Sequence, residues 1–164
     1  MVHVSEKENS LQLIGFQAGG KLYGVNIFAI REILRKVPLE PIHSAPAFVA
    51  GGLRVRGAVI PAVDLKSRLG KPDPSDNSDQ NWVLVARAGN GDVGFLVDSV
   101  TRILKVEPDE ILPPPDLILS GLRSRYIQGV CSSEDGMFVV LDLNSILMAD
   151  EIKALQKMEA QQPF

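Results

Sequence analysis

Few residues in this 164-residue chain have both the type and the spacing that chemistry needs. Gly89-x-Gly91-x-x-Gly94 matches a dinucleotide-binding loop, which sets a pyrophosphate against a helix N-terminus and so requires a helix after it. Here Phe95-Leu96-Val97 follows, a β-prone run, and the glycines read as a hairpin turn. Asp64, Asp98 and Asp142 could supply a carboxylate pair or a metal site. Two of them, Asp64 and Asp142, stand at the same place in a repeated Asp-Leu-x-Ser-x-Leu, where helix capping accounts for both. His3 lies in an N-terminal tail and His43 in a proline-bounded loop. Cys131, the single cysteine, excludes an internal disulfide and fits a reducing compartment. It has no CxxC partner or nearby histidine to activate it and reads as a small buried hydrophobe. No nucleophile elbow, P-loop or zinc spacing occurs, so the residues predict no enzyme, no cofactor and no metal.

Arg54 and Arg56 are different. Leu53 to Val63 alternates well enough for one strand, with Val55, Gly57 and Val59 on one side and Arg54, Arg56 and Ala58 on the other. The two arginines are then either solvated strand residues or a charged docking edge, since arginine is enriched at interface hot spots.

The elements that must position these residues are duplicated. Residues 63–69 (VDLKSRL) correspond to 141–147 (LDLNSIL), and Tyr23-Gly24-Val25 before Arg31-Glu32-Ile33-Leu34 corresponds to Val93-Gly94-Phe95 before Thr101-Arg102-Ile103-Leu104. Self-similarity at this period means two copies of one small unit, too long for a solenoid repeat. Leu11–Phe16 and Leu22–Ile27 are strand candidates around Ala18-Gly19-Gly20-Lys21, and Ile30–Val37 is a third apolar stretch. Pro46-Ala47-Phe48-Val49 reads as a helical turn ending at Gly51-Gly52, and Asp64 as the cap of a helix over Leu65–Leu69. In the second copy Trp82–Ala86 and Val93–Val97 flank Gly89-Asn90-Gly91-Asp92, Ile103–Val106 follows, and Ile127–Cys131 pairs with Met137–Leu141. Asp142 then caps a closing helix with an apolar stripe at Met148, Ile152, Leu155 and Met158.

Short strands with closely spaced turns predict a mainly β fold with minor helix. The expected division is subdomain 1 over about 11–70, a linker at 71–80 and subdomain 2 over about 81–142, within one domain at 11–150. Residues 1–10 are expected to be a flexible tail, and 143–164 a C-terminal helix and tail. Residues 11–70 carry a charge balance of +5 and residues 71–164 one of -7, which suggests partners of opposite character or a simple drift of solvated charge. The small basic excess disfavours nucleic acid. No run approaches the roughly 18 apolar residues of a membrane span, and Met1 to Ser10 lacks the pattern of a secretory signal, so a cytoplasmic protein is expected.

One set of segments, taken in order, resembles the CheW-type chemotaxis adaptors over residues 11–150. The first half contributes Tyr23-Gly24-Val25, Ile30-x-Glu32-Ile33, Pro46-Ala47-Phe48-Val49-x-Gly51 and Arg56-Gly57-x-Val59-Ile60-Pro61-x-Val63-Asp64-Leu65. The second contributes Val93-Gly94-Phe95-Leu96-Val97-Asp98, Pro113-Pro114-Pro115, Tyr126-Ile127-x-Gly129 and Val140-Leu141-Asp142-Leu143. The resemblance implies two SH3-like five-stranded β-barrels with an apolar junction, and no catalysis. It implies a scaffold between the cytoplasmic tip of chemoreceptors and the regulatory domain of a CheA-type histidine kinase, recruited to membrane receptor arrays without inserting into the bilayer. Receptor contact is expected at Ile30, Glu32, Arg56 and Gly57, with Phe48 and Gly51 nearby, while the kinase engages apolar ends of the barrels at residues the sequence does not name. The family's usual Asn-Leu-Arg-Gly is Arg54-Val55-Arg56-Gly57 here, so Arg54 adds a charge at the docking edge. That change raises the alternative of a paralogue in a non-flagellar pathway such as pilus motility. A small ligand-binding barrel or an enzyme is the reading from another class.

Overall fold

The computed structural model describes residues 10–69, 80–114, 126–147, 151–155 and 157. The expected tail before Ser10, most of the 71–80 linker and the ends of the C-terminal stripe at Met148 and Met158 lie outside these residues. The strands are β1 (Leu11–Ala18), β2 (Lys21–Asn26), β3 (Ile30–Arg35), β4 (Val49–Val55), β5 (Ala58–Asp64), β6 (Trp82–Ala88), β7 (Gly91–Val97), β8 (Ser99–Val106), β9 (Ile127–Ser133) and β10 (Gly136–Leu141). One short helix, α1 (Leu65–Leu69), follows β5, and residues 151–155 are helical near the C-terminus.

The strands form two five-stranded sheets, β8-β1-β2-β10-β9 (barrel 1) and β3-β6-β7-β5-β4 (barrel 2). The two orders are the same pattern with the repeats exchanged. Barrel 1 takes its first hairpin from the N-terminal repeat and its other three strands from the C-terminal one; barrel 2 does the reverse. The expected division into one barrel over 11–70 and another over 81–142 is therefore corrected, because β1 and β2 pair with β8 and β10 rather than with β3 to β5.

The turns supply the physical reason. A two-residue hairpin needs residues that accept positive φ. They are present between β1 and β2 (Gly19, Gly20), between β4 and β5 (Arg56, Gly57) and between β6 and β7 (Gly89), with Gly136 following the turn into β10. Between β2 and β3 stands only the 3₁₀ turn Ile27–Ala29, and between β7 and β8 only Asp98, with no positive φ at either. The chain cannot fold back there and crosses to the other barrel.

Burial follows from this arrangement. The interior of barrel 1 holds Leu13, Val106, Cys131, Phe138 and Val140, and that of barrel 2 holds Leu53, Ala62, Val83, Val85 and Leu96. The largest cluster lies between the barrels and includes Ile14, Phe16, Tyr23, Val25, Leu84 and Phe95. Central strands are thus buried on both faces, which is why Val83 to Ala86 is continuously apolar, whereas edge strand β3 alternates half-buried and exposed.

The repeated Asp-Leu-x-Ser also has a cause. Asp64 accepts from Ser67 Oγ at 2.9 Å and Asp142 from Ser145 Oγ at 2.7 Å, each three residues on. Asp142 caps the 3₁₀ turn Leu143–Ser145 and not a long helix, so the expected helix start is corrected to a later one. Two further expectations change. Ala47-Phe48 is a turn closed by Val49 N–H to Pro46 O at 3.0 Å, after which β4 continues through Gly51-Gly52 with a bulge between Val49 and Gly51. And Leu53 to Val63 is not one strand: Val55 pairs with Ala58, so Arg56-Gly57 is the turn of the β4–β5 hairpin.

Candidate functional site

Arg56 has φ 51° and Gly57 φ 82°, the left-handed pair that a tight hairpin turn demands. Nothing lies within 4 Å of where a Cβ on Gly57 would stand, so its backbone conformation alone calls for glycine. The turn holds Arg56 clear of the sheet with its side chain 75% exposed, and Nη2 reaches Glu32 on β3 at 2.5 and 2.9 Å. An exposed ion pair of this kind contributes at most about 1 kcal/mol to stability. Its effect is to fix the direction of the guanidinium.

Strands β3 and β4 are the two edges of the barrel 2 sheet, and the space between them is a cleft of about 280 Å³. Leu34, Leu53, Val55 and Val83 line it, and Glu32, Arg54 and Arg56 supply charge. Leu53 and Val83 belong to the interior cluster of barrel 2, so the apolar floor is the barrel's own core seen through its open edge. Arg54 is on β4 and pairs with Glu40 at 2.9 Å. Glu40 in turn exchanges both backbone hydrogen bonds with Gly52, at 2.8 and 2.7 Å. A Cβ on Gly51 would stand 3.0 Å from Leu39 Cβ and 3.2 Å from Glu40 O; its lack of a side chain lets residues 39–40 close against β4.

Of the residues identified from sequence, the structure gathers Glu32, Arg54 and Arg56 at the cleft, with Gly57 in its turn. Arg54 and Arg56 do not share a strand face, which corrects the expected geometry of that edge. Ile30, Phe48 and Gly51 stand outside the cleft lining. Ile30 pairs with Ala86 and packs on the central cluster, Gly51 faces Leu39, and Phe48 packs against the same cluster with Arg68 over its ring at 5.9 Å.

Two features belong to none of the sequence motifs. Phe28 is 92% exposed on the 3₁₀ turn between β2 and β3, where Asn26 Oδ1 accepts from its N–H at 2.9 Å. Arg68 forms a nearly buried ion pair with Glu151. Phe28 directly follows an apolar run that reads as strand, and Arg68 finds its partner 83 residues away.

The other candidates for chemistry are occupied structurally. Gly89 sits in a hairpin turn and strand β7 begins at Gly91, so no helix follows the glycines. Asp98 is buried in the crossover beside the first hairpin, its N–H donating to Gln17 O at 2.8 Å. Burial pushes the Cys131 thiol pKa up, Glu110 adds to this, and a hydrogen bond with the Ser132 backbone opposes it. Among the described residues no group of three or more His, Cys, Asp or Glu could hold a metal ion.

The fold is thus a barrel pair whose repeated carboxylates cap turns and whose open edge presents an apolar floor and a charged rim. Comparison with known proteins gives its family. Residues 12–151 match the CheW-like domain, and the chain belongs to that family. It is 37% identical over 143 residues to the chemotaxis protein CheW of Rhizobium meliloti (strain 1021), covering 87% of this chain and 91% of the relative. It is 26% identical over 160 residues to the chemotaxis protein CheW of Treponema pallidum (strain Nichols), covering 96% and 94%. The crystal structure of the scaffolding protein TtCheW from Thermoanaerobacter tengcongensis has the same fold, with a TM-score of 0.71 at 24% identity over 86% of this chain and 94% of that one. The family is one of chemotaxis adaptors and scaffolds and is not enzymatic. Among the described residues no helix is long and apolar enough to cross a membrane.

Proposed function

We propose that this chain couples chemoreceptors to a CheA-type histidine kinase, with the receptor's cytoplasmic tip docking at the barrel 2 cleft. The observation that carries this is the Glu32–Arg56 pair at an apolar-floored cleft between the two outermost strands of the barrel 2 sheet. A helical tip that presents acidic and apolar residues together finds a guanidinium held in a fixed direction and a greasy floor beside it. Ile30, Phe48 and Gly51 support the site from behind: they set β3 against the core and the start of β4 against residues 39–40.

The kinase surface is a separate one. Phe28 and, on β8, Ile103 (59% exposed) are large apolar side chains left in solvent, while half-buried Ile27, Ile30 and Val100 pack against the junction cluster. Large aromatic and aliphatic side chains left exposed are the composition of a protein-binding surface. In the cell this places the protein at membrane receptor arrays through its partners. Reconstitution tests the proposal: receptor membranes, kinase and this chain should give kinase activity that depends on the chain and falls on addition of attractant. Activity that is indifferent to the chain, with both partners shown to be competent, would refute it.

A further inference from the structure

From the packing around Arg68 we infer that this side chain, clasped by Glu151, is a positioning residue for receptor docking, acting through Phe48. The inference rests on the receptor-site reading above and extends that site to the C-terminal helix.

Arg68 is the fourth residue of α1, the helix that follows the β4–β5 hairpin. Its guanidinium donates to both oxygens of Glu151, at 2.6 and 2.8 Å, and Nη2 also donates to Ile146 O at 3.0 Å. Both side chains are only 16% exposed, so this is a desolvated, forked pair and not a solvated surface contact. The backbone of the same residue is held too: Tyr126 Oη donates to Arg68 O at 2.7 Å. Residue 126 and residues 146–151, both far along the chain, therefore converge on one arginine. Its guanidinium also lies over the Phe48 ring at 5.9 Å, within reach of a cation–π interaction.

Phe48 stands directly before β4, whose far end carries Arg54 and the Arg56 turn. β4 bulges between Val49 and Gly51, so where Phe48 seats sets how that bulge delivers the strand and its rim charges. Glu151 acts on that ring through Arg68. Neutralising Glu151 leaves Arg68 short of its counter-charge in a site with little water, and the guanidinium turns from the ring to find solvent. The C-terminal helix is kept in place meanwhile by apolar contacts, since Leu155 is 3% exposed within the central cluster and Ile152 packs beside it.

A double-mutant cycle on the full chain tests this, with binding of a soluble chemoreceptor tip fragment as readout and circular dichroism as the fold control. Glu151→Gln should weaken the fragment about fivefold, at the low end of measured site-to-site coupling. In a Phe48→Ala background the same change should have no further effect, whereas a loss of general stability would act in both backgrounds. Should Glu151→Gln disturb the fold, Arg68→Lys takes its place in the cycle, since it keeps the charge and removes the flat group over the ring. Unchanged affinity in Glu151→Gln, or an equal loss with and without Phe48, overturns the inference. Arg56→Asn serves as the control on the site itself. If it weakens binding and the clasp variant does not, only the role of Arg68 falls; if Arg56→Asn binds at full strength, the receptor site and the clasp fall together.

Discussion

Glu32 and Arg102 occupy the same place in the two repeats and carry opposite charges. Ile33 pairs with Leu84 on β6 as Ile103 pairs with Ile14 on β1, and each charged residue immediately precedes its isoleucine. Each also reaches the hairpin turn of its own barrel, Glu32 to Arg56 at 2.5 Å and Arg102 to Asp135 at 3.4 Å and Glu134 at 3.7 Å. Duplication thus made two mouths of one architecture, and their rims differ in sign at the turn. A partner whose acidic residues suit the Arg56 turn meets repulsion at Glu134 and Asp135, so the two barrels do not compete for it.

Arg56→Asn should separate charge from backbone at that turn. Asparagine tolerates positive φ better than most residues, so the hairpin is kept and stability should stay within about 0.5 kcal/mol of the parent. Receptor-fragment binding should weaken roughly thirtyfold, the factor that corresponds to about 2 kcal/mol for a truncated interface arginine. Arg56→Glu should lose more, by reversing the sign. Calorimetric titration beside urea denaturation checks both, and wild-type affinity in a folded Arg56→Glu would rule out the cleft.

Strand exchange makes a prediction about cutting the chain. Cleavage within residues 71–79 should leave a folded protein that melts cooperatively, because each barrel is completed across the cut. Once separated, the N-terminal piece has β1–β2 without β8–β10 and β3–β5 without β6–β7. Neither sheet is then complete, and circular dichroism of either piece alone should show no cooperative transition. A purified N-terminal piece that melts like a domain would contradict the pairing.

Alkaline pH should destabilise the fold through Tyr23. Burial, with Tyr126 nearby, pushes its pKa from 10.0 up to about 12, so the folded state holds the phenol proton more tightly than the unfolded chain. The contribution is fully present below pH 10 and is lost as pH rises from 10 through 12, amounting to roughly 3 kcal/mol at 1.36 kcal/mol per pH unit. Urea midpoints for the parent should fall over that window more steeply than for Tyr23→Phe. Parallel curves would show that Tyr23 does not set the alkaline limit.

Most of the strands are legible in the sequence because period-2 burial and glycine turns act locally: Gly19-Gly20 and Gly89-Asn90 sit where the sequence places hairpins. The exchange of strands is not, since it depends on which long-range pairing closes a barrel. Its local signal is a negative one, the lack of turn residues at Ile27–Ala29 and Asp98. The Arg56-Gly57 turn is hidden for a related reason. Val55, Gly57 and Val59 alternate as one strand would, while an isolated glycine within such a run marks a break in it. Of the site, Arg54 and Arg56 stand out from the residues themselves, and the family resemblance adds Glu32 and the grouping. The Arg68–Glu151 clasp spans 83 residues and leaves no short-range trace.

Phe28 provides the last test, directed at the kinase surface. At 92% exposure its ring makes almost no contact within the chain, and the turn that carries it is held by the Asn26 side chain and not by the phenyl group. Phe28→Ser should therefore leave the melting temperature almost unchanged, and on the same ground it should leave the cleft intact. Burying a phenyl ring in a partner is worth about 1.5–3 kcal/mol, so losing it should weaken binding of the kinase regulatory domain roughly tenfold to a hundredfold. Ile103→Ser on β8 should weaken it in the same direction, because Ile103 is 59% exposed although it pairs with buried Ile14. Receptor-fragment binding should be unaffected by either change, which distinguishes a local loss of kinase contact from damage to the fold. Pull-down of both partners on each variant makes the comparison, and a Phe28→Ser protein that holds the kinase domain at parental strength would move the kinase surface elsewhere.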